Sequence, residues 1–130
     1  MGHIGLMPQF VRSEGGYKVK GKDEQNILSL VEDAKAIEEA GAFALVVEGV
    51  KAEATKAITE AVSIPVIGIG AGKDVDGQVL VWSDMFGFFE DFKPKFVRQY
   101  LNGAKLIKDG LEQFKSDVQS QNFPNEDEMY

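Results

Sequence analysis

The sequence predicts an α/β fold built on a parallel sheet, and three observations carry that prediction. Two short apolar runs, residues 42–47 and 64–69, are continuous rather than alternating, as in strands buried on both faces. Between them, residues 52–62 repeat their apolar positions at helical spacing. Strand, helix, strand in that order is the signature of a right-handed parallel crossover.

Taken along the chain, residues 1–22 read as loop, because Gly2, Gly5, Pro8, Gly15, Gly16 and Gly21 interrupt every possible period. So long a loop inside a compact domain is more often functional than idle. Over residues 25–40 the pattern turns helical, with Ile27, Leu30, Val31, Ala34 and Ile37 on one face, Asp23 placed to cap the start and Gly41 to stop the end. The run Ala42-Phe43-Ala44-Leu45-Val46-Val47 is then a buried strand that ends at Glu48. The next helix, 52–62, shares one face among Ala54, Ala57, Ile58 and Ala61. Ile64-Pro65-Val66-Ile67-Gly68-Ile69-Gly70 forms the second strand, with Pro65 at its first residues, where a missing N–H does least harm. Gln78-Val79-Leu80-Val81-Trp82 is a third strand candidate. A long helix is expected from Pro94, since Val97, Tyr100, Leu101, Ala104, Ile107, Leu111, Phe114 and Val118 step by threes and fours. Gly103 and Gly110 weaken it by about 1 kcal/mol each relative to Ala, so packing must hold it. Residues 122–130 are expected as an acidic tail that frays.

Composition narrows the function. A chain of 130 residues, 44% hydrophobic and 27% charged, suits one ordered domain. A formal charge of −7 argues against nucleic acid or an anionic membrane as partner, since both need an excess of Lys and Arg. With no cysteine and His3 as the single imidazole, a thiolate zinc site is excluded, and a metal here would be a hard cation held by oxygen. No apolar run reaches the length of a membrane span, and the N-terminus lacks a basic region followed by an apolar stretch, so the expected compartment is the cytoplasm.

Glu48 is the most informative residue, because an acid directly after an apolar strand stands where a parallel sheet or barrel places its chemistry. Two roles fit it: a general base, or a carboxylate that supports the first turn of the following helix. Spacing alone does not choose between them. Gly68-Ile69-Gly70-Ala71-Gly72 has two readings as well, a loop whose N–H groups cradle an anion or a strand crossing a crowded place. The second is favoured, since the glycines alternate and lead into a turn-like segment rather than a helix. His3 could hydrogen-bond a substrate carboxylate or carbonyl, or be incidental. Arg12, Lys18, Lys20 and Lys22 form a basic cluster that either attracts an anionic substrate or is a solvated loop.

These segments resemble ketopantoate hydroxymethyltransferase. The match runs through Gly2-His3-Ile4-Gly5-Leu6-Met7-Pro8-Gln9, Gly15-Gly16-Tyr17-Lys18-Val19-Lys20-Gly21, Val46-Val47-Glu48, the glycine-rich strand 64–72, Asp76-Gly77-Gln78-Val79-Leu80-Val81 and Phe92-Lys93-Pro94-Lys95-Phe96-Val97. The resemblance implies the C-terminal half of a (β/α)8 barrel with a long C-terminal helix, starting where the fifth strand ends. Residues 1–22 become an active-site loop and 23–121 strand-helix units of a single partial barrel domain. It implies hydroxymethyl transfer from 5,10-methylenetetrahydrofolate to 3-methyl-2-oxobutanoate, giving 2-dehydropantoate, with Mg2+ chelated by the keto acid. Glu48 matches the family's base at the end of the sixth strand, and His3 would follow the fifth strand and bind substrate. The family's metal-binding acids, Ser and Lys lie on strands this chain does not carry, so no metal ligand is assigned here. The complete protein is expected as a homo-oligomer. Gly49 departs from the Cys usual in the family after the catalytic Glu. Two other readings stay open: a non-catalytic fragment acting through association, and another barrel enzyme acting on 2-oxo acids.

Overall fold

In a computed structural model, which describes residues 1–13 and 15–130, both apolar runs form parallel strands. The chain divides into two compact units, Met1–Leu80 and Val81–Tyr130, each described by itself.

The first unit runs β1 (Gly2–Gly5), α1 (Glu24–Glu39), β2 (Leu45–Glu48), α2 (Ala52–Ala61), β3 (Val66–Ile69) and β4 (Gly77–Gln78). All four strands are parallel and lie in the sheet in sequence order, β1-β2-β3-β4. Each crossover therefore advances in one direction, and right-handedness puts α1 and α2 on the same face of the sheet, where they pack against each other. The core lies on that face. Ile4, Leu45, Val47 and Val66 meet Leu30 and Ala34 of α1 and Ala54 and Ile58 of α2, all of them buried.

The helix termini follow from their sequences. Asp23 caps α1, its carboxylate accepting from the Asn26 N–H at 2.9 Å. At the other end Gly41 takes φ +89° and donates to the Glu38 carbonyl, while Ala42 donates to Ile37, a Schellman closure.

Several expectations are corrected. The segment 1–22 is not all loop: Gly2–Gly5 is a strand, and His3 lies inside it rather than after it, in register with Val46. Its glycines mark close approach, since a Cβ at Gly2 would meet Ile37 Cγ2 at 2.3 Å. The first apolar run pairs only from Leu45 onward. The third strand shrinks to Gly77–Gln78, and Trp82 opens a short helix instead of ending a strand.

In the second unit, α3 (Trp82–Met85) is followed by turns and then α4 (Gly103–Gln119). The long helix thus starts at Gly103, not Pro94. Before it, the Tyr100 N–H is spent on the Met85 carbonyl, and Asn102 caps α4 by accepting from the Lys105 N–H. A Cβ at Gly103 would lie 2.7 Å from the Phe86 carbonyl oxygen, so glycine lets this end of the helix approach the turn. The final residues, expected to fray, form a 3-10 turn, Glu126–Glu128, with a reciprocal capping box between Asn125 and Glu128. Phe123 packs edge-on against Phe114, their centroids 5.4 Å apart. Among the described residues no helix is long and apolar enough to cross a membrane.

Candidate active site

Side chains alternate across a sheet, so residues two apart on one strand share a face. In the register of this sheet, His3 stands beside Val46 and Ile67, while Gly5, Glu48 and Ile69 form a second row farther along the strands. Both rows point away from α1 and α2, since the alternate residues Leu45, Val47 and Val66 are the ones buried under the helices. The face opposite the core therefore carries one imidazole and one carboxylate on adjacent strands, flanked by aliphatic side chains.

These two groups meet. His3 Nε2 lies 3.2 Å from Glu48 Oε2, with the side chains 33% and 20% exposed. Although close, the pair lacks hydrogen-bonding geometry, and Nε2 is buried without a hydrogen-bond partner. A buried polar atom left in that state costs about 1–3 kcal/mol, and such atoms in native structures call for an explanation, be it a bound water or ligand, strain or a catalytic role.

Backbone contacts hold Glu48 in place. Its carbonyl accepts from the Leu6 N–H at 2.7 Å, the next residue, Gly49, donates to the Ile69 carbonyl at 2.9 Å, and the Gly49 carbonyl accepts from the Lys20 N–H at 3.0 Å. Gly49 stands at φ +59°, and a Cβ there would lie 3.0 Å from Leu6 Cβ. The chain thus turns sharply just after the carboxylate. Support of the following helix falls elsewhere: the acid in the first turn of α2 is Glu53, and no side chain caps that helix.

The glycine run resolves toward close packing. A Cβ at Gly72 would lie 2.6 Å from Ala52 Cβ, and one at Gly68 3.2 Å from Val75, while Gly70 and Gly72 both take positive φ. Gln78 pins the run by donating from Nε2 to the Gly72 carbonyl at 2.7 Å. In the basic cluster Arg12, Lys18 and Lys22 are exposed, while the half-buried Lys20 pairs through its backbone with Val50. No three His, Asp or Glu side chains gather as a metal site among the described residues.

A model of the family described as ketopantoate hydroxymethyltransferase matches residues 1–126. The chain belongs to that family. It is 65% identical over its whole length to a 3-methyl-2-oxobutanoate hydroxymethyltransferase of Aliarcobacter butzleri (strain RM4018), covering 48% of that protein. The same identity holds with the Wolinella succinogenes protein of that name, of which it covers 50%, and 58% with that of Helicobacter pylori (strain Shi470), of which it covers 48%. The chain spans about half the length of the curated relatives it matches.

Both site residues singled out from the sequence of this family member come together on one face, but their contact was not readable there. It depends on β1 being a strand and on the register Gly5↔Glu48. Gly5 and Leu6, which brace Glu48 through its carbonyl, were missed as parts of the site. The one signal for them was the pair of glycines flanking His3 and Ile4.

Proposed function

We propose that this chain supplies part of the active site of a cytoplasmic enzyme that transfers a hydroxymethyl group from 5,10-methylenetetrahydrofolate to 3-methyl-2-oxobutanoate, giving 2-dehydropantoate for pantothenate synthesis. In this reading the chain is the C-terminal half of a (β/α)8 barrel that works as a homo-oligomer. Four parallel strands in sequence order, with the helices on one face, support an arc of such a barrel. The names of the relatives support the reaction.

Glu48 is the base that takes the C3 proton of the 2-oxo acid, and His3 faces the same mouth, within reach of the substrate's oxygens. The observation that carries this assignment is their contact, 3.2 Å apart on the face away from the core, with Glu48 at the C-terminal end of β2 and His3 one row back on the adjacent parallel strand. That end of a parallel barrel is where catalytic residues gather. Val46, Ile67 and Ile69 give the same face an apolar lining.

Mg2+ does not fit these residues alone. It demands near-octahedral oxygen ligation, and the pair offers one carboxylate beside an imidazole. We assign the metal, and the folate with it, to parts of the family's barrel outside this chain.

The test isolates proton removal. With a complete barrel in deuterium oxide and no folate, NMR follows exchange of the C3 hydrogen of 3-methyl-2-oxobutanoate. Glu48→Gln keeps the shape and removes the basicity, so exchange should slow by roughly 100- to 10,000-fold while the 2-oxo acid still binds. Near wild-type exchange in the Gln variant would take Glu48 out of the mechanism.

A further inference from the structure

We infer that His3 acts through Glu48, receiving on Nε2 the proton that Glu48 removes from the 2-oxo acid. This rests on the reading of Glu48 as the base and adds a second proton-transfer step to it.

The starting point is the contact itself. Nε2 and Oε2 are 3.2 Å apart, Nε2 is buried, and yet no hydrogen bond joins them. A carboxylate oxygen accepts only, and the bare nitrogen of a neutral imidazole accepts only. Whichever ring nitrogen carries the proton, Nε2 and Oε2 stand close but out of line, so a bond between them needs a proton and a small rotation of a side chain. The proton taken from C3 supplies the first: on Oε2 it makes the carboxyl group a donor 3.2 Å from Nε2. Catalytic hydrogen bonds that are long or misaligned in the free enzyme often tighten when the reacting state forms.

The transfer has a chemical purpose. When the C3–H bond breaks, its electron pair stays with the substrate as the enolate and the proton goes to Oε2. A base that keeps the proton next to the new carbanion returns it to carbon. Passing it to Nε2 restores the Glu48 carboxylate and makes His3 an imidazolium, which then releases one proton to water and becomes neutral again. Imidazole suits this relay because each ring nitrogen can accept a proton or give one up. His3 is the only imidazole in the chain, and β1 places it on the neighbouring strand and the same face as the base.

Exchange in deuterium oxide reads this step directly, because a proton that returns to carbon leaves no mark. The full-length enzyme containing this chain is compared with His3→Gln, which keeps a polar side chain but cannot carry a proton, and with His3→Ala with and without added imidazole. Glu48→Gln is run alongside, and circular dichroism checks that each variant is folded. At saturating 2-oxo acid, exchange should slow by roughly 100-fold in His3→Gln. Imidazole should restore exchange in His3→Ala, with more basic imidazoles restoring more. Should His3→Ala fail to fold, the rate of His3→Gln at saturation decides alone. Full-speed exchange at saturation in His3→Gln, even with weakened substrate binding, would reduce His3 to a substrate contact and overturn the inference. So would a folded His3→Ala that no imidazole rescues. If Glu48→Gln also exchanges at full speed, the assignment of the base falls first. If Glu48→Gln is slow while His3→Gln is not, only the relay falls.

Discussion

At Gly5 there is no room for a methyl group. A Cβ would fall 2.2 Å from the Glu48 carbonyl oxygen and 2.6 Å from Val50 Cγ2, and the backbone stands at φ +93°. Gly41 has nearly the same backbone angle, φ +89°, but open space where its Cβ would go. The two positions therefore separate backbone strain from collision. Gly41→Ala should cost about 1–2 kcal/mol, the usual penalty for an L-residue in left-handed conformation. Gly5→Ala should cost more, about 3–5 kcal/mol, because the colliding atom is backbone and cannot swing away. Urea unfolding midpoints of the two variants check this, and equal shifts would show that the collision relaxes. Gly5→Ala should also disturb Glu48, whose carbonyl is the atom struck. At this scale the sequence was half legible. Glu48 announced itself as an acid closing an apolar strand, whereas His3 sat among glycines that read as loop because their reason, close approach to Ile37 and to Glu48, lies in the tertiary structure.

Among the elements, α1 and the loop between α2 and β3 are joined by one carboxylate. Glu38, in the last turn of α1, accepts from both the hydroxyl and the backbone N–H of Ser63. The Ser63 side-chain hydrogen bond, and then its backbone N–H, hold the Glu38 carboxyl below its ordinary value of 4.5. A group whose folded-state pKa is depressed adds stability that is present above its unfolded value and lost as pH falls through the folded value. The wild type should therefore lose part of its stability on acidification below the ordinary carboxylate range. Glu38→Gln should flatten that part of the curve, and its melts at neutral pH should be lower than wild type. Parallel acid profiles of the two proteins would show that the contact contributes nothing measurable, as exposed charged contacts often do. The elements themselves were legible where period and cap agreed: α1 kept both its Asp23 cap and its Gly41 stop. The long helix was misplaced at its start because Val97, Tyr100 and Leu101 happen to extend the stripe of α4. The residue that ends the stripe is Asn102, whose side chain caps the helix. A capping side chain outweighs three apolar residues in phase, and Asn one position before a glycine is the signal that would have found it.

For the molecule as a whole, the parallel crossover was legible from two continuous apolar runs separated by a helical stretch, although burial on both faces was not borne out: Val46 and Ile67 are only half-buried on the face away from the helices, and Phe43 is exposed. The strand order was not, since β1 was hidden and β4 is only two residues long. That order leaves the outer edges of β1 and β4 without a neighbouring strand among the described residues. Open strand edges are templates for pairing with another chain. In the other unit, Ile107, Leu111, Phe114 and Val118 run along one side of α4 and are all exposed, while the only buried residue of that helix is Gly103. An exposed apolar stripe of this kind is a contact surface. Against both stands the net charge of −7, which makes copies of the chain repel one another. The two effects respond oppositely to salt: repulsion is screened, with a Debye length falling from about 10 Å at 0.1 M to about 3 Å at 1 M, while apolar burial is not weakened. The chain by itself should therefore self-associate, and more strongly as salt is added. Sedimentation equilibrium at several protein and salt concentrations measures it, with an average mass above 14.3 kDa that rises with both. Association that weakens with salt would assign the contact to ion pairs instead of apolar faces. A species that stays at 14.3 kDa throughout and melts cooperatively would mean that neither the strand edges nor the α4 stripe seeks a partner.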